Sequence, residues 1–417
     1  MNASAKSNEQ LLAERAKRVW DAGALKQPDR VPISMTAGYL LAEYGGISHQ
    51  QLQDDHELCQ EILERFACEF EPDSILGPIT PGASPVLGDR MTAWPGHGLP
   101  ESGSFQFLEG EFMKAGDYDA FLKDPSDWAI RTYLPRVFSE FEGLKTLPPL
   151  GMWAFGFYNL DSLHFYSSPG MRRVARAFAK ALEVAADQGE RMAAAQKRME
   201  ALGFPPAFFM GPHASAPFDF MSDTLRGMRG IMLDMLREPE RLLAAEERVS
   251  GIVLEHIIMS CEATGFKLAG FPLHRGSDGF MSLTQFEKFY WPQLKNMFLT
   301  LIDNGITPFA FFEGAWDRRL EYLRELPAGK VIGWFQKSDI FKVKEVVGDV
   351  MCIVGGMPNS LLAGGTVSEV REYTHRLCEV VGKNGGYIMS TGVGELEGSK
   401  LELVRAWVDA TKEFGAY

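Results

Sequence analysis

Several polar side chains follow short apolar runs, at the points where strands of a parallel sheet would end. The clearest is Glu313, which directly follows the run Phe-Ala-Phe-Phe at 309–312. His274 and Arg275 follow a second apolar run, and His213 follows a third, in a Gly-Pro-His sequence. A carboxylate and an imidazole can exchange protons or hold a metal ion. The pattern therefore predicts a catalytic site built from strand ends.

Each of these residues also has a purely structural interpretation. Glu313 could cap the helix that follows, or pair with Arg318 or Arg319. The loop that begins at His274 could be held by an ion pair with Asp278, and the histidine of the Gly-Pro-His sequence could simply be solvated. The spacing alone leaves these alternatives open.

Aromatic residues suggest the wall of an apolar pocket. Trp153, Phe157 and Tyr158 lie in a stretch interrupted by glycine, and Phe311 stands two positions before Glu313. Such clusters are more often protein core than a cofactor site. An apolar wall with a few convergent polar groups is nevertheless typical of a small-molecule pocket. We therefore predict that these four aromatic residues bind substrate.

The elements that position these residues alternate between short apolar runs and amphipathic helices in the second half of the chain. This order predicts βα units around a parallel sheet. We predict strands at 31–35, 74–77, 206–210, 266–271, 306–312, 330–335, 351–355 and 387–391. We predict helices at 223–264 (broken near 237–239), 282–303, 316–326, 339–347, 367–383 and 399–414. Ser282 is the expected N-cap of its helix, and Asp219 and Asp223 are interpreted as caps of the long helix.

Eight such units would close into a (β/α)8 TIM barrel, an α/β fold whose active sites lie at the carboxyl ends of the strands. We expect one domain over 1–417, with a helical N-terminal extension at 1–27. The stretch 82–149 is rich in Gly and Pro and fits the βα pattern poorly, so we expect it to form loop insertions at the barrel mouth.

The composition excludes some classes of function. The 417 residues carry a formal net charge of −13, which argues against nucleic-acid binding because that requires clustered Lys and Arg. The five cysteines are scattered, no apolar signal core opens the chain, and no run of eighteen apolar residues occurs. We therefore expect a cytoplasmic protein with reduced thiols and no membrane contact, which could be a homodimer.

Four motifs resemble the uroporphyrinogen decarboxylase superfamily. The most specific is RGSDGFMSLTQFEKFYWP at 275–292, which has the family's polar loop, Ser-capped helix and F-x-x-F-x-x-P ending. The others are EPDSIL at 71–76, DTLRGMRGIMLD at 223–234 and GGYIMSTG at 385–392. The resemblance covers most of the chain from about residue 28 onward, and it implies the same (β/α)8 barrel.

The superfamily has two known chemistries, and departures from its motifs favour one of them. The decarboxylases, which need no cofactor, carry Arg-Gln-Ala-Gly-Arg after the first strand, whereas this chain reads Met-Thr-Ala-Gly-Tyr at 35–39. Their late histidine is also absent from Ser-Thr-Gly-Val at 390–393. Asp73 alone matches the decarboxylase aspartate, which makes it a catalytic candidate. The chain more closely resembles the methyltransferases, which exchange a methyl group with a corrinoid (cobalamin) on a separate protein.

Many of these methyltransferases use zinc, so the resemblance implies a zinc site. This chain, however, carries other residues at the usual ligand positions. A His-x-Cys and a later Cys are replaced by Phe311, Glu313 and Val393. Some O-demethylase relatives use Glu-Gly-Asp-Trp, and this chain reads Glu-Gly-Ala-Trp at 313–316. Zinc needs about three protein ligands. Glu313, His274 and Cys352 are the candidates, with a metal-free site in which Glu313 is a general acid as the alternative.

The expected reaction follows from this resemblance. Glu313, Asp73 and His274 would be the catalytic residues, and His213 and Arg275 would orient the polar end of the substrate. The methyl donor would be a small, apolar or aromatic, methoxylated molecule, and the acceptor a corrinoid protein. The chain lacks the Asp-x-His-x-x-Gly motif that binds cobalamin, so the corrinoid must come from this partner. Two alternatives stay open: a cofactor-independent decarboxylase or lyase, and a ligand-binding relative without catalysis.

Overall fold

A computed structural model describes residues 6–154, 166–207, 211–392 and 394–417. The chain forms two compact units. The first, called the barrel unit, comprises Met1–Ile79, Ala195–Asp219 and Ser250–Tyr417, and the second comprises Thr80–Ala194 and Phe220–Val249. The single domain expected from the sequence stays a prediction.

Ten strands lie within the described residues. They are β1 (Ser34–Thr36), β2 (Ser74–Leu76), β3 (Thr92–Pro95), β4 (Gly98–Leu99), β5 (Gln106–Phe107), β6 (Leu268–Leu273), β7 (Thr307–Phe312), β8 (Ile332–Phe335), β9 (Cys352–Met357) and β10 (Tyr387–Thr391). β3, β4 and β5 belong to the second unit, and the other seven belong to the barrel unit.

The barrel unit is the predicted (β/α)8 barrel. Strands β10-β9-β8-β7-β6 form one parallel sheet in that order, and β1 pairs in parallel with β2. A parallel bridge between Ile33 and Met389 joins β1 to β10, and another between His213 and Gly270 joins the segment around His213 to β6. Eight parallel segments therefore follow one another, and their carboxyl ends share one rim.

The inside of the barrel is apolar. One cluster of buried residues takes a side chain from each strand of the five-stranded sheet: Leu268, Phe309, Ile332, Cys352, Val354 and Ile388 among them. Val19 and Ala22, from the helix Asn8–Gly23, pack against the same cluster. The predicted N-terminal extension thus contributes to the core.

The helices of the barrel unit surround these strands. They are Asn8–Gly23, Leu40–Gly45, His49–Asp54, His56–Phe70, Pro217–Phe220, Leu283–Gln285, Trp291–Asp303, Leu320–Leu323, Ile340–Val347, Asn359–Gly364, Val367–Arg376 and Leu401–Phe414, with π-helical turns at Phe286–Tyr290 and Leu377–Val381. Two long helices, Pro169–Ala201 and Pro239–Thr264, each begin in the second unit and end in the barrel unit.

Most predicted elements are confirmed with shifted ends, and Ser282 caps its helix as expected. One helix is corrected: 316–326 is helical only at Leu320–Leu323. The first backbone N–H groups of the predicted helix donate to side chains outside it. The N–H of Trp316 donates to Ser338 Oγ, and the N–H of Arg318 donates to Asp278 Oδ2. The predicted strand 206–210 extends beyond the described residues.

The second unit has its own core, and it contains a buried ion pair between Arg226 and Asp234. Its further helices are Tyr118–Lys123, Pro125–Trp128, Leu134–Val137, Leu150–Ala154 and Gly227–Arg237, with 3-10 turns at Ser84–Leu87, Ala115–Asp117 and Ser139–Thr146 and π-helical turns at Ala129–Tyr133 and Met221–Arg226. Phe141, Leu144, Leu147 and Val174 form an apolar cluster. The stretch 82–149, expected to form loops, thus carries short helices and strands, and its position at the barrel mouth stays a prediction.

In the described part of the chain, every helix is too short or too polar to cross a membrane.

Candidate active site

His274 and Glu313 meet at the carboxyl ends of two neighbouring strands. β6 ends at Leu273 and β7 at Phe312, and these two residues are partners in the parallel register, so the following side chains emerge side by side. Nε2 of His274 lies 3.2 Å from Oε1 of Glu313. The two side chains are 33% and 36% exposed, so the pair is open to a substrate. Glu313 therefore contacts the imidazole of His274.

A buried aspartate holds the loop that carries this histidine. Asp219 is fully buried, and its carboxylate accepts the backbone N–H groups of His274 at 3.1 Å and Arg275 at 2.8 Å. Its Oδ2 also accepts the hydroxyl of Tyr290 at 2.6 Å. Asp219 lies within the helix Pro217–Phe220 and supports the site, rather than capping the long helix as expected.

The sequence contained a signal for this role that the prediction missed. Asp219 is the one charged residue in the otherwise apolar and small stretch Ala-Pro-Phe-Asp-Phe at 216–220. A carboxylate in such a run is either misplaced or bonded inside the protein, because burying an unpaired charge is costly.

The turn after β7 is fixed by the next strand end. Gly314 has φ +72°, in the left-handed region that favours glycine, and its N–H donates to Oε1 of Gln336 at 2.7 Å. Nε1 of Trp316 donates to the carbonyl of Glu313 at 2.9 Å. Both contacts restrain the backbone on either side of the Glu313 carboxylate, which favours one orientation of that group.

Aromatic rings line the barrel below this pair. The ring centres of Phe311 and Trp334 lie 4.6 Å apart, and both side chains face the interior cluster. Nε1 of Trp334 donates to the carbonyl of Thr391 at 2.7 Å, which fixes the indole. We call Phe311 and Trp334 the aromatic floor. It gives an apolar, aromatic surface, with the two rings tilted by 43°, on which a small molecule could rest.

His213 lies beside β6. An ideal Cβ on Gly270 would lie only 2.6 Å from Cδ2 of His213, so the missing side chain makes room for the imidazole. Desolvation lowers the pKa of His213, although part of the side chain is exposed. The imidazole therefore packs against the backbone of β6 at Gly270.

The other predicted polar residue, Arg275, lies with its guanidinium carbon 5.4 Å from the ring centre of Phe280. Asp278 forms a buried ion pair with Arg319, which is 1% exposed and also donates to the carbonyl of Met281 at 2.6 Å. Arg319 therefore stabilises the loop after β6. The ion pair between Arg319 and Glu313, one of the alternatives from the sequence, is replaced by the contact of Glu313 with His274.

Asp73 occupies a different place from the one expected of a catalytic residue. It precedes β2 and so lies at the amino end of the strand, away from the rim that carries Glu313. Its buried carboxylate pairs with Arg18 and Arg30 and accepts the N–H of Ile33 at 2.8 Å. These bonds use its acceptor positions, which indicates a structural role.

Cys352 does not join the proposed zinc ligands. It begins β9, level with Ile332 and Phe309, and it is fully buried in the interior cluster. Its position at the start of β9 places it away from the rim where His274 and Glu313 meet. Burial also raises the pKa of its thiol, which disfavours the thiolate that a metal needs.

The described residues therefore supply two of the three zinc ligands that we predicted. Among those residues, no group of three or more His, Cys, Asp or Glu side chains could hold a metal ion. This donor set does not fit a zinc site, which needs about three protein ligands. The chemistry below therefore uses His274 and Glu313 without a metal.

The prediction that Trp153, Phe157 and Tyr158 line a substrate pocket stays untested. Phe157 and Tyr158 lie outside the described residues, and Trp153 belongs to the helix Leu150–Ala154, with its side chain outside the description.

The fold and the site define a (β/α)8-barrel protein with a His–Glu pair at the carboxyl rim of the strands. The sequence model for Uroporphyrinogen decarboxylase (URO-D) matches residues 192–414, more than half of the chain. The chain belongs to this family, as its motifs predicted.

Solved structures extend the likeness in fold to nearly the whole chain. One of 36 matching chains is a methyltransferase from Methanosarcina mazei, with a TM-score of 0.61 at 14% sequence identity. The alignment covers 96% of this chain and 98% of that one. No curated protein matches the sequence.

Proposed function

We propose that the protein is a methyltransferase that moves a methyl group from a small methoxylated, apolar or aromatic molecule to a corrinoid on a separate protein. The observation that carries the proposal is the contact between His274 Nε2 and Glu313 Oε1 at the rim, above the aromatic floor. The similarity in fold to a methyltransferase supports it.

The His–Glu pair can supply what ether cleavage needs. An ether oxygen is a poor leaving group unless it gains a proton as the C–O bond breaks. In the proposed step the methyl carbon is attacked by the reduced corrinoid of the partner, and the C–O electron pair stays on oxygen. That oxygen takes the proton shared by His274 and Glu313, so that the products are an alcohol or phenol and a methylated corrinoid.

The stretch from β1 into the following turn lacks the arginines that would hold a polycarboxylate substrate there. The segment after β1 offers the buried residues Ala37 and Tyr39, and the stretch 35–39 contains no arginine. Fixed guanidinium groups are the usual means of holding carboxylates. This absence favours an apolar methyl donor over a porphyrinogen-like acid.

The test is methyl transfer from methoxylated aromatic compounds to a reduced corrinoid protein, followed by the absorbance change of the corrinoid. We expect Glu313→Gln and His274→Gln each to lower kcat at least about a hundredfold, the usual contribution of a general acid. Glu321→Gln and His256→Gln, at exposed helical positions, are the matched controls and should retain full activity.

Other results would redirect the assignment. Release of CO2 from a carboxylated substrate without corrinoid would support the decarboxylase alternative. Tight binding of a methoxylated compound without turnover by any partner would support a binding protein. Variants of the pair that retain the wild-type rate would refute its role as the acid.

A further inference from the structure

The strand beside β7 ends in a glutamine that the proposed reaction does not use. Gln336 directly follows Phe335, the last residue of β8. Phe312 and Phe335 are partners in the parallel register of β7 and β8, so Glu313 and Gln336 leave the sheet side by side. The N–H of Gln336 donates to the carbonyl of Phe312 at 3.2 Å, which continues the pairing one residue beyond the strands. Gln336 therefore lies at the carboxyl rim as the neighbour of Glu313.

The aromatic floor lies directly below these two residues. Phe311 and Trp334 are register partners, and both face the interior cluster. Side chains alternate between the two faces of a strand, so Glu313 and Gln336, each two residues further on, belong to the same face as the floor. Two residues along a strand correspond to a rise of about 7 Å. A small aromatic molecule that lies on the floor therefore has both rim residues at its edge.

One hydrogen bond fixes the direction in which the amide of Gln336 faces. Its Oε1 accepts the N–H of Gly314 at 2.7 Å. A backbone N–H only donates, so the amide atom that meets it must be the oxygen, and the NH2 group forms the other end. The N–H of Lys337 donates to the carbonyl of Gly314 at 3.2 Å, which holds this turn against the end of β8. Gln336 is half-buried, and its Nε2 has no acceptor among the residues that the structure describes.

An amide NH2 held in this way suits an oxygen that gains negative charge. The group is uncharged and donates at every pH, unlike an imidazole or a carboxyl. When an ether is cleaved, the C–O electron pair moves onto the oxygen. A donor that is already in place therefore binds this oxygen more strongly in the transition state than in the bound substrate, which accelerates the step.

We propose that Gln336 is a third functional residue of the rim, whose Nε2–H donates a hydrogen bond to the ether oxygen of a molecule lying on Phe311 and Trp334. Gln336 transfers no proton. It holds the oxygen in the ether and in the alcohol or phenol product, while the proton comes from His274 and Glu313. This inference deepens the proposed function and rests on it for the reaction, but the hydrogen bond itself can be tested by binding alone.

The experiment compares two ligands that differ only in one atom group, 4-methoxybenzyl alcohol and 4-ethylbenzyl alcohol, by isothermal titration calorimetry on the full chain. The ethyl compound has CH2 in place of the ether oxygen, so the ratio of the two affinities reports on hydrogen bonds to that oxygen. Removing a donor should lower this ratio at least about fivefold, as expected for the loss of one hydrogen bond.

Two variants of Gln336 separate the donor from the anchor of the turn. In Gln336→Glu, measured at pH 8, one carboxylate oxygen still accepts the N–H of Gly314, but the other cannot donate. In Gln336→Met both the donor and the anchor are lost, and no charge is introduced. The affinity ratio should fall in both variants. A fall in Gln336→Met alone would assign the effect to the anchor, and a fall in Gln336→Glu alone would assign it to the new charge, so either result overturns the proposal.

Kinetics with a corrinoid protein supply the second readout. Both variants should lower kcat for methyl transfer at least about tenfold and change KM much less, because the hydrogen bond strengthens in the transition state. The loss should be larger for 4-methylanisole than for 4-nitroanisole, since the nitro group draws negative charge away from the leaving oxygen. A loss of equal size for the two ethers would indicate a structural role and contradict the proposal.

Gln27→Glu, at an exposed position in the connection before β1, is the matched control and should behave as wild type in both measurements. An unchanged affinity ratio in the Gln336 variants, or no binding of the methoxy compound by the wild type, overturns the inference even if methyl transfer is found. If the ratio falls in both variants but no corrinoid protein accepts a methyl group, the hydrogen bond assigned to Gln336 stands and the proposed function fails.

Discussion

At the residue scale, the site depends on Asp219 as much as on the two residues that could handle the proton. This carboxylate holds two consecutive backbone N–H groups and one tyrosine hydroxyl. Hydrogen bonds to a charged acceptor are stronger than neutral ones, and three of them on one group fix the loop before any substrate arrives. His274 can therefore meet Glu313 with little freedom to lose on binding.

Asp219→Asn tests this positioning role. The substitution removes the charge and one acceptor oxygen, so at least one N–H of the loop loses its partner. We expect the free energy of unfolding to fall by about 1–3 kcal/mol, and kcat to fall at least about tenfold in protein that is still folded. Chemical denaturation and steady-state kinetics measure the two effects.

Tyr290→Phe is the comparison for that variant, because it removes only the hydroxyl donor and leaves both loop N–H groups bonded. It should lose about 1 kcal/mol of stability and little kcat. If Asp219→Asn lost stability but kept the wild-type kcat and pH–rate profile, the aspartate would be structural only.

At the scale of elements, the amino ends of the strands are held by a cluster of charges. Arg18, on the helix Asn8–Gly23, pairs with Asp73 ahead of β2, and Arg30 pairs with the same carboxylate. Arg18 also binds Asp29, which lowers the pKa of that aspartate. The cluster therefore ties the N-terminal helix to the barrel, far from the rim that carries the reaction.

Asp73→Asn distinguishes this role from the catalytic one predicted from the family. Removing one partner leaves two buried or half-buried guanidinium groups without their common carboxylate. We expect a loss of about 3–5 kcal/mol in the free energy of unfolding, with kcat unchanged in the folded fraction. Thermal denaturation and activity per folded molecule are the measurements. A variant of wild-type stability without turnover would restore Asp73 to the catalytic residues.

The sequence predicted helices and strands better than it predicted which side chains meet, and the reason is physical. Apolar runs and helix caps are local, so β10 was predicted with its observed limits, 387–391, and Ser282 was predicted as a cap. Glu313 and His274 were found because strand ends can be read locally. Cys352 and Asp73 were assigned to the site from residue type and family resemblance, which do not show whether a side chain reaches the rim, and both lie at or directly before the start of their strands.

At the scale of the whole molecule, the barrel brings together at one rim residues that are far apart in sequence. Asp219, His274, Glu313 and Gln336 all belong to the barrel unit, and all follow or support strand ends. The sequence could not show that Ile33 bridges to Met389, because more than 350 residues separate them. That contact depends on β1 and β10 being neighbours, which is a property of the closed barrel.

The metal content of the purified protein tests whether His274 and Glu313 belong to a zinc site at the barrel rim. Two donors, His274 and Glu313, fall short of the three protein ligands of a typical zinc site, so we expect less than about 0.1 zinc per chain after purification and zinc supplementation. Elemental mass spectrometry on wild type and Glu313→Ala measures it, and Glu321→Ala is the exposed control. About one zinc per chain that only Glu313→Ala loses would contradict the metal-free pair. Glu313 would then be a metal ligand, and the acid that protonates the leaving oxygen would have to be sought elsewhere at the rim.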